Sequence, residues 1–116
     1  MPVLNSKDAA SEEISKGVQR RSLVDGTKGA KSLSVAEVTV GPGGRVPNHT
    51  HPTEEAMVVL EGKLEAVLGD GAVEVGPGET VLAPAGIRHG FVNRSRGTAK
   101  LMAIFPTSKV ERTFVD

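Results

Sequence analysis

From Gly17 onward, glycine or proline returns at intervals of up to twelve residues, and no uninterrupted apolar run exceeds five, the longest being Ala56–Leu60 and Leu101–Phe105. A chain punctuated this way has little room for amphipathic helices, whereas short β-branched and apolar segments between turns suit strands at the spacing of sandwiches and barrels. The strands expected on this basis are Val18–Val24, Ser32–Val40, Glu55–Leu60, Lys63–Leu68, Ala72–Val75, Thr80–Ala83, His89–Asn93, Lys100–Phe105 and Val110–Phe114. Gly69-Asp70-Gly71 reads as a tight hairpin, and Gly41-Pro42-Gly43-Gly44 and Gly76-Pro77-Gly78 as stronger breaks. Residues 1–16 are polar, with a helical option around Ala9–Ile14, and read as a loosely ordered arm. Residues 17–116 read as one domain, since 116 residues suffice for a single core.

Composition removes several function classes. Fourteen basic and fourteen acidic side chains cancel, and there is no Trp or Tyr, so nothing gathers polyanions or stacks on bases and no nucleic-acid partner is expected. No run approaches the roughly 20 apolar residues that cross a bilayer, so no membrane association is expected. The first residues lack the pattern of a secretory signal, and the expected location is cytoplasmic. The absence of Cys removes disulfides, thiolate nucleophiles, iron–sulfur clusters and thiolate metal sites, leaving His and carboxylates to hold any metal. The absence of Tyr removes a phenolic acid or base.

The three histidines lie within 41 residues, His49 and His51 in the stretch NHTHPTEEAMVV and His89 after Pro84-Ala85-Gly86. An HxH pair alone is often only a solvated face. If the stretch is extended, however, His49, His51 and Glu55 share one face, while Glu54 points to the other. With His89 at the mouth of a later strand, three imidazoles and one carboxylate can converge on a divalent transition ion. On an octahedral ion such a set leaves two positions open.

The spacing around these residues is ordered. Gly43, His49, His51, Glu55 and Gly62 form one segment, and Gly78, Pro84, Gly86, His89 and Asn93 a second, with fifteen residues between the two. Together they resemble the paired motifs of the cupin superfamily, G(X)5HXH(X)3–4E(X)6G and G(X)5PXG(X)2H(X)3N, at all ten specified positions. The resemblance is to small single-domain cupins. It implies an all-β fold, a small antiparallel jelly-roll β-barrel or double-stranded β-helix, with a metal inside held by His49, His51, Glu55 and His89. It further implies that Pro84 and Gly86 shape a turn and that Asn93 is structural.

Met57 and Val59 continue the inward parity of Glu55, and Phe91 that of His89, so all three are expected to line an apolar pocket around the ion. Both faces of Ala56–Leu60 and Leu101–Phe105 are apolar, as in strands covered on both sides. In a chain this small the expected second cover is another subunit, making a homodimer. Arg45, Arg88, Arg94 and Arg96 lie near the motif ends and are expected mainly at the surface.

All three imidazoles are committed as ligands, so proton transfer falls to metal-bound water, to Glu55 or to the substrate. The expected cofactor is one divalent ion per chain, Mn, Fe, Ni, Co, Cu or Zn. The leading expectation is an oxidative, dioxygenase-like enzyme acting on a small oxygen-rich organic molecule. Two alternatives are a metal-dependent lyase or isomerase without redox change, and a non-catalytic module binding metal or a small ligand.

Overall fold

The computed structural model describes residues 2–115 and is all-β apart from two short 3-10 turns. Two antiparallel sheets face each other. The first contains β1 (Ser11–Ser15), β2 (Val18–Val24), β3 (Ser34–Val40), β5 (Glu55–Glu61), β8 (Thr80–Ala83) and β10 (Ala99–Phe105), in the order β1-β2-β3-β10-β5-β8. The second contains β4 (Arg45–Thr50), β6 (Leu64–Leu68), β7 (Gly71–Val75), β9 (His89–Val92) and β11 (Thr113–Phe114), in the order β11-β4-β9-β6-β7. Chain neighbours from β3 onward mostly switch sheets, as a jelly roll requires.

Strict alternation builds the core. In β3 and β10 every second residue is buried, and the two strands pair in register from Ser34 opposite Phe105 to Val40 opposite Ala99. Val38, Val40, Met57, Val59, Leu64, Ala66, Phe91 and Leu101 from both sheets meet in one cluster. Apart from Ala66, each such residue removes a large side chain from water, worth about 1.5–3 kcal/mol apiece before conformational entropy is charged against it.

Most expected strands form within a residue or two of their anticipated ends. Three segments differ. Residues 11–15, read as part of a loose arm with a helical option, form β1 and pair with β2 from Ser11 opposite Arg21 onward. Glu12 and Arg20, opposite each other in that register, form an ion pair at 3.5 Å. The stretch 45–50, not among the expected strands, is β4, because its Pro and polar residues mask an extended backbone. The last expected strand shrinks to Thr113–Phe114.

The outer face of the six-stranded sheet remains apolar. Leu82 is 57% exposed and Leu60 41%, with Ala56, Val58, Met102 and Ile104 partly exposed beside them. No helix among the described residues is long and apolar enough to cross a membrane.

The turn from β5 to β6 depends on Gly62. Its φ is +74°, and a Cβ there would meet the Thr98 carbonyl oxygen at 2.6 Å and Ala99 Cα at 2.8 Å. Asn93 is fully buried and ties neighbouring segments together, donating to the carbonyls of Val40 and Gly97 and accepting from Ser95. Gly62→Ala is therefore expected to lower stability by about 2 kcal/mol or more, read as a lower urea midpoint at unchanged slope. An unchanged midpoint would contradict this packing.

Candidate metal centre

The site begins with an irregularity in β4. Val46 pairs with Phe91 and His49 with His89, so Pro47 and Asn48 together stand opposite the single residue Gly90. Such a bulge re-aims the side chains beside it, and Pro47, which has no N–H, is tolerated where the ladder is interrupted. Gly90 makes room for it: a Cβ there would lie 2.5 Å from Asn48 Oδ1 and 2.7 Å from the Val46 carbonyl. The bulge brings His49 directly beside His89, their ring centroids 4.4 Å apart.

β4 ends at Thr50, and residues 51–54 carry the chain across to β5 in the other sheet. The shared parity of His49, His51 and Glu55 thus does not come from one continuous strand. His49 and His89 project from the five-stranded sheet, Glu55 from the six-stranded sheet, and His51 from the connection between them. Four donor atoms, one from each residue, nevertheless lie within 4.8 Å of one another, and all four residues are buried. Glu54 is exposed.

Hydrogen bonds set the orientation of each ring. His49 Nδ1 donates to the Pro47 carbonyl at 2.7 Å, His51 Nδ1 to the Glu111 carbonyl at 2.7 Å, and His89 Nδ1 to the Ile87 carbonyl at 3.0 Å. With Nδ1 occupied, the neutral imidazole presents its Nε2 lone pair to the centre, the arrangement by which an outer hydrogen bond fixes a metal-binding tautomer. His51 Nε2 is buried and makes no hydrogen bond, although Glu55 Oε1 is 3.3 Å away. His89 Nε2 lies 2.8 Å from the same oxygen. An orphaned buried nitrogen facing two further imidazoles and a carboxylate fits a divalent transition ion.

The charge states agree. Burial pushes His49 down to about 4, helped by the positive ends of His89, His51 and Arg112 and opposed by the Pro47 carbonyl. Burial also lowers His51, against the Glu111 carbonyl and the Glu55 charge. For His89, burial acts in the same direction, but the hydrogen bond to Glu55, the Ile87 carbonyl and the Glu55 charge outweigh it and raise its pKa. His89 Nε2 and Glu55 Oε1, 2.8 Å apart, are thus paired within the cluster.

The cluster stands at one side of a cavity between the sheets. Met57 and Phe91 line it, together with Ile14, Val46, Leu101 and Phe114. Val59 is buried in the core and is not part of the wall. The four arginines near the motif ends do not line it either: Arg94 pairs with Glu65 at 3.3 Å, Arg88 donates to the Gly69 carbonyl, and Arg45 and Arg96 are exposed. Sequence reasoning missed Arg112, which does line it, and the carbonyl of Glu111. The weak alternation of residues 110–114 was their only trace.

Residues 36–105 match the family model for the cupin domain. The chain is a cupin. A polyketide cyclase, RemF from Streptomyces resistomycificus, is 32% identical over all of this chain and 87% of its own, with a TM-score of 0.84. Protein SchB of Streptomyces halstedii is 34% identical over 74% of this chain and 63% of its own length. A germin-like protein of Morus alba is 32% identical over 72% of this chain but only 43% of its own. The matched regions span from 37% to 63% of the curated relatives. An oxalate oxidase shares the fold at a TM-score of 0.80 and 24% identity, covering 94% of this cupin and 60% of the other chain.

Two measurements check this centre. Elemental analysis of untagged protein should find that His49→Ala and Glu55→Ala lose most bound metal while Glu54→Ala retains it; the reverse order for the two glutamates would contradict the site. In the metal-free protein, an unfolded chain takes up protons near pH 6.5 that folded His49 and His51 refuse, whereas the raised His89 acts oppositely. With two depressed imidazoles against one raised, stability should fall as pH drops from about 6.5 towards 4. Thermal unfolding across that range checks the sign, and a rise would contradict it.

Proposed function

We propose that this cupin holds one divalent transition ion through His49, His51, Glu55 and His89 and uses it to convert an enolisable, largely apolar carbonyl substrate without net oxidation. The observation that carries the reading is the convergence of three imidazole Nε2 atoms and one carboxylate on a cavity whose other walls are mainly apolar. An ion there supplies Lewis acidity to a carbonyl or enol oxygen. Resemblance to a polyketide cyclase over the whole chain favours ring closure over oxygen insertion.

The chain's own groups define the rest. Met57, Phe91 and Leu101, all buried, lie against the carbon skeleton, with the more exposed Phe114 beside them. The sequence has no Cys or Tyr, and the three imidazoles are engaged, so Glu55 takes the proton from the carbon next to a carbonyl. That carbon bonds to a second carbonyl of the same molecule, its C=O electron pair moves onto oxygen, and the proton returns there. No electron acceptor is needed. The first product is a cyclic alcohol, which can then lose water.

Heptane-2,4,6-trione offers a direct test, because closure with loss of water yields orcinol. Metal-loaded protein should accelerate orcinol formation under argon at least tenfold over the metal-free protein. Consumption of dioxygen with cleaved products would instead establish the oxidative reading, to which the likeness to an oxalate oxidase gives a fold-level precedent. Binding without any product would establish a non-catalytic module.

The exposed apolar face formed by Ala56, Val58, Leu60, Leu82 and Ile104 supports a homodimer packed through the six-stranded sheets. Light scattering should then give about twice the chain mass of 12.1 kDa.

A further inference from the structure

Arg112 precedes β11 and lines the same cavity as His49, Glu55 and His89. Among the described residues that form the wall, it carries the one fixed positive charge. Its surroundings leave that charge uncommitted. Arg112 makes no hydrogen bond or ion pair with the described residues, and the acid near it outside the cluster, Glu12, is engaged by Arg20. Partial desolvation at the cavity wall and, after it, the like charge of Arg20 disfavour the guanidinium's charged state, against the charges of Glu55 and Glu12, while Arg112 stays exposed to solvent.

Arg112 is exposed, so water solvates its charge, but it stands on the wall of a mainly apolar cavity with no carboxylate of its own and is available to an anion that enters there. With a divalent ion on the four-residue cluster, the imbalance grows: the ion and Arg112 together outweigh the single negative charge of Glu55 by two. The planar guanidinium fork matches a carboxylate through two parallel N–H donors, and does so most strongly where the surroundings are apolar.

We propose that Arg112 anchors an ionised carboxylate at the end of the substrate remote from the metal, so that the substrate of this cupin is an amphipathic organic acid rather than a neutral ketone. This rests on the reading of the cavity as a metal-dependent substrate site. The enolisable carbonyl faces the His–Glu cluster, the hydrocarbon body lies against Met57, Phe91 and Phe114, and the carboxylate meets Arg112. Arg112 is thereby a specificity-determining residue, with no part in the metal site.

The test compares three ligands with one skeleton: benzoylacetone, which has no acid, and 3- and 4-acetoacetylbenzoate, which carry a carboxylate at two positions on the ring. Binding is measured by calorimetry on metal-loaded wild type, Arg112→Gln and Arg112→Lys, after equal metal content and unfolding temperature are established. Wild type should bind one of the acids about tenfold or more tighter than benzoylacetone. Arg112→Gln should abolish that preference while leaving benzoylacetone within about threefold, and Arg112→Lys should retain part of it. The anchor is overturned if wild type binds acid and ketone alike, or if Arg112→Gln keeps the preference. Wild type that binds none of the three, benzoylacetone included, overturns the substrate-site reading and the anchor with it.

Discussion

Three hydrogen bonds from imidazole Nδ1 atoms to main-chain carbonyls hold this site in its working form. Each is local or nearly so for His49 and His89, whose partners Pro47 and Ile87 stand two residues earlier, but long-range for His51, whose partner is Glu111. Without them the rings could present either nitrogen, and the centre would become a cluster of polar groups competing for the same protons. With them, every Nε2 faces inward, and Glu55 has three nitrogen neighbours rather than solvent. The bulge opposite Gly90 and the switch between sheets at residues 51–54 both serve that orientation.

Charge placement follows the same logic. Burial penalises the protonated forms of His49 and His51, whereas the hydrogen bond to Glu55 favours that of His89. The carbonyl partners on the far side of each ring leave the Nε2 atoms free to face the centre. The barrel therefore carries a metal-ready arrangement whose cost is met by the surrounding strands.

Much of this was legible in the chain. The strands were readable because alternation and Gly–Pro punctuation are local signals, and the four-residue cluster because its spacing matches a known pair of motifs. The parity argument put together four residues that the fold does bring within 4.8 Å of one another and turned Glu54 outward, yet it assumed a continuous strand where the chain changes sheets. β4 was not anticipated as a strand because a bulge with Pro47 and Asn48 obscures its period. β1 was read as a loose arm because four of its five residues are polar and only its pairing with β2 makes it a strand. Val59 was assigned to the pocket by parity alone, whereas depth in the barrel decides whether an inward residue meets the cavity or the core. Arg112 could not be found from spacing, since a segment with a two-residue strand has no pattern, and its place depends on pairing with β4.

That pairing has a consequence for the chain's far segment. Thr113 and Phe114 add to the edge of β4, the Val115 amide donates to the Asn48 carbonyl, and the Glu111 carbonyl receives the His51 ring. A strand so short is held by few bonds, and one of them belongs to a residue of the metal cluster. The Glu111 carbonyl thus ties this outer segment to the His51 ring, which is held on its other side by Phe105, so the second sheet's edge and the barrel's centre share one hydrogen bond.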